Sequence, residues 1–262
     1  MSKTEKELAF LRDLYIETDW TERFTNLFDD HYKFSDEEKI LYVNAGAGNH
    51  ALALREKLDD EVEIFGVSES RELLTIARAK ADAIQANVDF SIAFPEQKYD
   101  AVMADATFVK PHELKGFLAH LANFSDKQVA VFLPSAGSFG EVFSLLWETL
   151  LNLEMLDKAA EIERLITEIP TISKIKETAE NLGLTKVETM AKSEFFEYDN
   201  GAAFVNSPLL EDFLFPNWFD FLNETEMEKV KNKLVQTIDD DALEMSSSFS
   251  VKATLLVGEK QN

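Results

Sequence analysis

The sequence predicts a doubly wound α/β domain with a mostly parallel sheet, on three observations. A short apolar run at residues 40–43 leads into a glycine turn and then a helical stretch, ILYVNAGAGNHALAL. Strand-like and helix-like stretches then alternate, with short links, as far as Pro134. Beyond Pro134 the rhythm turns mainly helical, leaving two strand-like stretches at residues 185–198 and 249–257.

The elements follow in order. Residues 5–15 carry an apolar stripe at Leu8, Leu11, Leu14 and Tyr15, which predicts an amphipathic helix. Trp20, Phe24, Leu27 and Phe28 predict a second helix, capped by Thr18 or Asp19. These two helices are expected to cover a sheet edge or to roof a ligand site. Residues 40–43 leave no room for polar alternation, so they read as a buried strand. Asn44, Gly46 and Gly48 form a tight turn, and the next helix turns Ala51, Leu52 and Leu54 inward. Strands are expected at 62–67, 88–94, 99–104 and 128–133, with helices at 71–85 and 114–124 between them.

Past Pro134, helices are expected at 141–153, 159–169 and 173–182, the last closed by Gly183. Residues 199–201 read as a turn and 226–238 as an amphipathic helix. Asp239, Asp240 and Asp241 read as a solvated turn that ends this helix. With no internal repeat and no low-complexity linker, the chain reads as one domain. It divides into N-terminal helices (1–38), a core (39–134) and helical cap segments (135–183 and 199–247).

Composition sets limits. The net charge of −23, from 26 basic and 49 acidic residues, repels phosphate backbones, so nucleic acid is not an expected partner. The acidity reads as solubility or a salty cytoplasm, with a basic protein partner as the sharper alternative. No apolar run approaches the length of a membrane span, so no membrane partner is expected. The first ten residues are charged and lack the apolar centre of a secretory signal. The absence of Cys excludes disulfides, thiolate metal sites and a Cys nucleophile, and fits a cytoplasmic protein. No two of the four His stand at metal-binding spacing.

The glycine turn is where chemistry is expected. Glycine lets backbone approach a ligand, and the helix that follows presents free N–H groups. Four stretches extend this reading: LYVNAGAG, FGVSESRELLTIARAKA, YDAVMAD and QVAVFLPSAGSFGEVFSLLWETL. With them the chain, from about residue 40 to 257, resembles the class I S-adenosylmethionine-dependent methyltransferases. The resemblance implies a seven-stranded Rossmann-like sheet, with the last strand slotting in antiparallel, and S-adenosylmethionine as cofactor. It assigns cofactor contacts to Asn44, Ala45, Gly46, Gly48, Ser68, Glu69 and Asp105. It also places Asp105 beside the reactive sulfonium.

The chain departs from the family pattern at several of these places. Tyr42 stands where the family carries an acidic residue on the first strand, and Asn44 where it has its first motif glycine. Ser68 stands where the family's acid binds the ribose hydroxyls, with Glu69 adjacent to it. In the shortened 95–98 loop Glu96 is the one candidate for the adenine amine. Each missing charge-assisted bond would cost on the order of 1.5–3 kcal/mol.

Asp105, at the carboxyl end of a strand, and His112, in the following loop, are the candidate catalytic residues, His112 as general base. His50, at the start of the helix after the glycine turn, reads as a surface residue, with a ligand-facing role as the sharper alternative. Phe139, Phe143, Trp147, Phe213, Phe215, Trp218 and Phe219 read as core, with an apolar acceptor pocket as the sharper alternative. Three functions are open. The chain moves a methyl group to a small, apolar acceptor, or it is a catalytically silent binding or assembly subunit. The third is a nicotinamide-dependent enzyme, since Gly46-Ala47-Gly48-Asn49-His50-Ala51 also fits the loose dinucleotide pattern. The methyl-transfer reading requires an open crevice above Gly46 and Gly48; a plugged one would leave only an inert scaffold.

Overall fold

The computed structural model describes residues 3–240 and 247–261. Helix α1 (Glu5–Leu11) begins at a capping box: the Thr4 side chain accepts from the Glu7 N–H and the Glu7 carboxylate accepts from the Thr4 N–H. The expected break near residue 18 is not there. The backbone continues as a π-helix, Arg12–Thr21, and then as α2, Glu22–His31. At their junction the Glu22 N–H bonds the Glu17 carbonyl, five residues back.

The wider turn changes which side chains face inward. Arg12, Ile16, Trp20, Phe24 and Phe28 are buried, one every four residues, while Leu14 and Tyr15 are 60% and 55% exposed. The inward stripe at Leu14 and Tyr15 is therefore corrected. It assumed 3.6 residues per turn, and this segment is wound more loosely.

The sheet follows the expected alternation. Strand β1 (Lys39–Val43) leads to α3 (Asn49–Lys57), β2 (Glu63–Val67) to α4 (Arg71–Ile84), and β3 (Asp89–Ser91) to β4 (Tyr99–Asp105). Helix α5 (Leu114–Phe124) and β5 (Ser125–Ser135) follow. Strand β3 stops before the expected residue 94, because the Ser91 hydroxyl accepts the Ala93 N–H and turns the chain. Next come α6 (Gly140–Asn152), α7 (Ala159–Glu168), α8 (Ile172–Asn181) and β6 (Leu184–Glu197). The remainder is α9 (Gly201–Val205), a second π-helix (Leu209–Leu214), α10 (Phe215–Trp218), α11 (Glu224–Asp240) and β7 (Ser248–Lys260).

Two local expectations are corrected. Residues 199–201 do not form a free turn: the Asn200 side chain caps α9 by accepting the Ala203 N–H. Asp239 and Asp240 lie inside α11, and the Asp239 carboxylate accepts the Gly201 N–H at 2.7 Å. Asp241 lies outside the described residues.

The seven strands order as β3-β2-β1-β4-β5-β7-β6. The pairs β1–β2, β1–β4, β2–β3 and β4–β5 are parallel, so the sheet is mostly parallel. From β1 the order runs outward through β2 and β3 on one side and, after a crossover, through β4 and β5 on the other, so the strand order reverses between β1 and β4. In doubly wound sheets that switch is where ligands bind.

The chain forms two compact units. The first comprises residues 1–133, 172–191 and 253–262. In it Leu41, Val43, Val102, Ala104, Val129 and Val131 pack against Leu118, Leu121 and Ala122 of α5 and Ile175 and Ala179 of α8. Also in this unit, Trp20 meets Phe24, Phe24 meets Phe132 and Phe28 meets His50, at centroid separations of 5.0–6.3 Å. The second unit comprises residues 134–171 and 192–252. Its core is aromatic: Phe139 packs on Trp218 and Phe249, and Phe249 stacks on Phe196. Five of the seven aromatics singled out in the sequence, Phe139, Phe143, Phe215, Trp218 and Phe219, are buried. Among the described residues no helix is long and apolar enough to cross a membrane.

Candidate functional site

The turn after β1 sets the floor of the site. Asn44, Gly46 and Gly48 all have left-handed backbone, with φ of 55°, 57° and 84°. Asparagine enters that region more readily than most side chains, so Asn44 keeps the turn that a glycine would make. Its side-chain amide then donates to the Asp105 carbonyl at 2.8 Å, tying the ends of β1 and β4 together. Ala45 is buried, and its N–H bonds the Val67 carbonyl at 2.9 Å. Gly48 is packed so that a Cβ there would press on the Phe90 ring and the Ala77 methyl.

Above this floor lies a charge cluster in which Arg12, Glu17 and Asp105 are buried and Glu69 reaches the surface. Arg12 comes from the π-helix, Glu69 from just beyond β2, and Asp105 from the end of β4. The Arg12 Nη2 donates to Glu69 Oε1 and to Asp105 Oδ2, each at 3.3 Å, and its Nε donates to Glu17 Oε1 at 3.3 Å. Its guanidinium also lies 4.6 Å from the centre of the Phe108 ring. The second oxygen of Glu69 accepts the Gly46 N–H at 3.0 Å, and Asp105 Oδ1 accepts the Thr107 N–H at 2.7 Å. Both carboxylates that the resemblance assigns to a cofactor are thus engaged by the chain itself. The crevice is not open. The Glu17 carboxylate lies where a Cβ on Gly46 would be, so it fills the space that the glycine leaves. The expected open crevice is corrected: Arg12 and Glu17 occupy it.

Three carboxylates surround one guanidinium, with consequences for their protonation. Burial pushes the Glu17 carboxyl up to about 7, against the pull of Arg12. Burial also raises Asp105, again opposed by Arg12. Arg12 is buried, yet its guanidinium is held more firmly protonated than usual by Glu69, Glu17 and Asp105.

A second buried chain adjoins the first. The Tyr42 phenol lies 3.0 Å from His50 Nδ1, and His50 Nε2 lies 3.2 Å from Asp29 Oδ1. The other Asp29 oxygen accepts from Lys57 Nζ at 2.6 Å. Burial lowers the His50 pKa, so the ring is neutral. The assignment that satisfies every atom has Nε2–H donating to Asp29 and Tyr42 O–H donating to Nδ1. The surface reading of His50 is therefore corrected. Its ring is buried between Phe28 and Tyr42.

The remaining candidates divide. Ser68 is buried at the end of β2, its N–H bonded to the Ser91 carbonyl and its hydroxyl without a partner. His112 lies outside the cluster: it is exposed before α5 and faces Glu113 at 4.0 Å. Glu96 is exposed. Among the described residues no group of acids and histidines is arranged to hold a metal ion. The sequence reading missed Arg12 and Glu17. On a 3.6-residue period they fall among the solvated charges, and no cue marks the π-turn that carries them inward.

Fold and strand order together define the class: the chain has the fold of the class I S-adenosylmethionine-dependent methyltransferases. The YcgJ protein from Bacillus subtilis is 15% identical and superposes with a TM-score of 0.57 over 92% of this chain and 99% of that one. A putative methyltransferase from Bacillus halodurans is 16% identical, with a TM-score of 0.54 over 92% and 100% of the two chains. Phosphoethanolamine N-methyltransferase 2 from Haemonchus contortus, solved with S-adenosylhomocysteine, is 10% identical, with a TM-score of 0.55 over 98% of this chain and 58% of that one. The [4+2]-cyclase SpnF also shares the fold, at 15% identity and a TM-score of 0.50, over 91% of this chain and 80% of that one. No protein-family model matches the chain, and no curated protein matches it.

Proposed function

We propose that this chain binds S-adenosylmethionine above Gly46 and Gly48 and moves its methyl group to a small, apolar acceptor. The observation that carries this reading is the ring of carboxylates from Glu17, Glu69 and Asp105 around a single buried cation, at the switch point of a methyltransferase-type sheet. Such a ring suits an organic cation, and the Arg12 guanidinium stands in for one. Solved neighbours of the same fold include proteins titled as methyltransferases, one of them with S-adenosylhomocysteine.

In this reading Glu69 accepts the ribose hydroxyls with its two oxygens and Asp105 faces the cationic end. The Gly46 N–H, released from Glu69, becomes a donor to the ligand. Bound there, the sulfonium supplies an electrophilic methyl group. The chain's own task is then proximity, alignment and exclusion of water. His112 would serve as base for an acceptor that must lose a proton.

Calorimetry with S-adenosylmethionine and S-adenosylhomocysteine tests the proposal. Micromolar binding of either supports it, and no heat at millimolar ligand sinks it. The second reading, a silent binding subunit, draws first on the crevice itself: Arg12 and Glu17 already fill it. Tyr42 and Ser68, at two of the family's acidic positions, point the same way. Its partner would be basic, matching the net charge of −23. Binding of NAD with neither sulfur ligand would favour the nicotinamide alternative instead.

A further inference from the structure

We propose that residues 5–21 form a two-register latch on the crevice: a π register that inserts Arg12 and Glu17, and an α register that withdraws them and turns Leu14 and Tyr15 inward. The proposal rests on the reading of the crevice as the S-adenosylmethionine site.

Beside Ile16 and Trp20 the π-helix buries an arginine and a glutamate, while it leaves Leu14 and Tyr15 exposed. On an α-helical period the same residues present Leu8, Leu11, Leu14 and Tyr15 as one apolar stripe. Local sequence preference and the observed winding thus conflict, and such conflict marks a segment with a second low-lying state. Ten residues of π-helix is long for a form seen mostly as single-turn bulges, which recur at functional sites.

The π register is held by charge. Arg12 joins Glu17, Glu69 and Asp105, and Asp13 pairs with Lys80 of α4. A groove of about 570 Å3 runs between the π-helix with α2 and the start of α3, with Leu14 already on its wall beside Asp13, Thr18, Asn49, His50 and Lys80, so the segment borders open space on that side. A cationic ligand that takes over the three carboxylates removes the reason for Arg12 to stay. Ligand binding and the register change are then one equilibrium.

The chain has no Cys, so Leu14→Cys installs a single thiol on the outer face of the latch. In the free protein that thiol should react readily with an aromatic disulfide reagent. Adding Arg12→Gln should slow its reaction by at least about tenfold without any ligand, by shifting the population to the α register. Saturating S-adenosylmethionine should slow the single variant to a similar extent. Glu17→Gln is the second variant if Arg12→Gln does not fold, and should slow the thiol by a smaller factor. An unchanged rate in these variants overturns the latch, whatever the ligand does. Binding seen by calorimetry with no change in thiol rate also overturns it. If no ligand binds but Arg12→Gln still slows the thiol, the latch stands and the proposed function falls.

Discussion

Arg12 and Asp105 are 93 residues apart in sequence, and their side chains meet inside the protein at 3.3 Å. The contact joins the N-terminal helical segment to the carboxyl end of β4. It places a permanent cation where the fold normally leaves room for a ligand.

Arg12→Met should destabilise the protein by about 3–5 kcal/mol at pH 8, because three carboxylates lose the buried cation that they share. The loss should shrink toward pH 5, where Glu17, raised to about 7 by burial, takes up a proton instead. Urea denaturation at the two pH values checks this. An equal loss at both would mean that Arg12 acts by packing on Phe108 and not by charge.

Glu17→Gln should change the pH profile in a defined direction. A carboxyl raised to about 7 in the folded state holds a proton that the unfolded chain releases near 4.5. Wild-type stability should therefore fall as pH rises from about 4.5 to about 7, by roughly 3 kcal/mol for this group, and then level off. Gln cannot titrate, so the variant should lack that descent. Melting temperatures across the interval would show it.

Gly46→Ala should cost more than its backbone alone explains. The left-handed conformation accounts for about 1–2 kcal/mol, and the new methyl also collides with the Glu17 carboxylate. Combining it with Glu17→Ala should recover at least about 1 kcal/mol in a double-mutant cycle. Strict additivity would show that the two residues do not touch in solution.

Tyr42→Phe should remove the donor to His50 Nδ1 and leave a buried acceptor unpaired, at a cost of about 1–3 kcal/mol. The histidine tautomer should then become mixed, which nitrogen chemical shifts of the imidazole would report. Asp29, at the other end of the chain, is held down at about 2 by His50 and Lys57 despite partial burial. Its stabilising share is complete above about pH 4 and should disappear as pH falls through 2. Asp29→Asn should flatten that acid limb.

The sheet was legible because buried parallel strands are short continuous apolar runs, and residues 40–43, 101–104 and 129–133 are of that kind. The turn at Asn44, Gly46 and Gly48 was legible because few residues accept left-handed backbone. Glu69 and Asp105 could be placed beside that turn from their positions after β2 and at the end of β4. The sequence also determined the acidity of the surface and the lack of thiol chemistry. Winding and long-range pairing were decided only in three dimensions. Whether residues 12–21 turn every 3.6 residues or more loosely depends on what their side chains meet. The partners of Arg12 lie up to 93 positions away. His50 is buried for the same reason: Phe28, Tyr42 and Asp29 converge on it from separate elements. A local pattern records the preference of a segment, and the charges brought against that segment by the rest of the chain determine which way it faces.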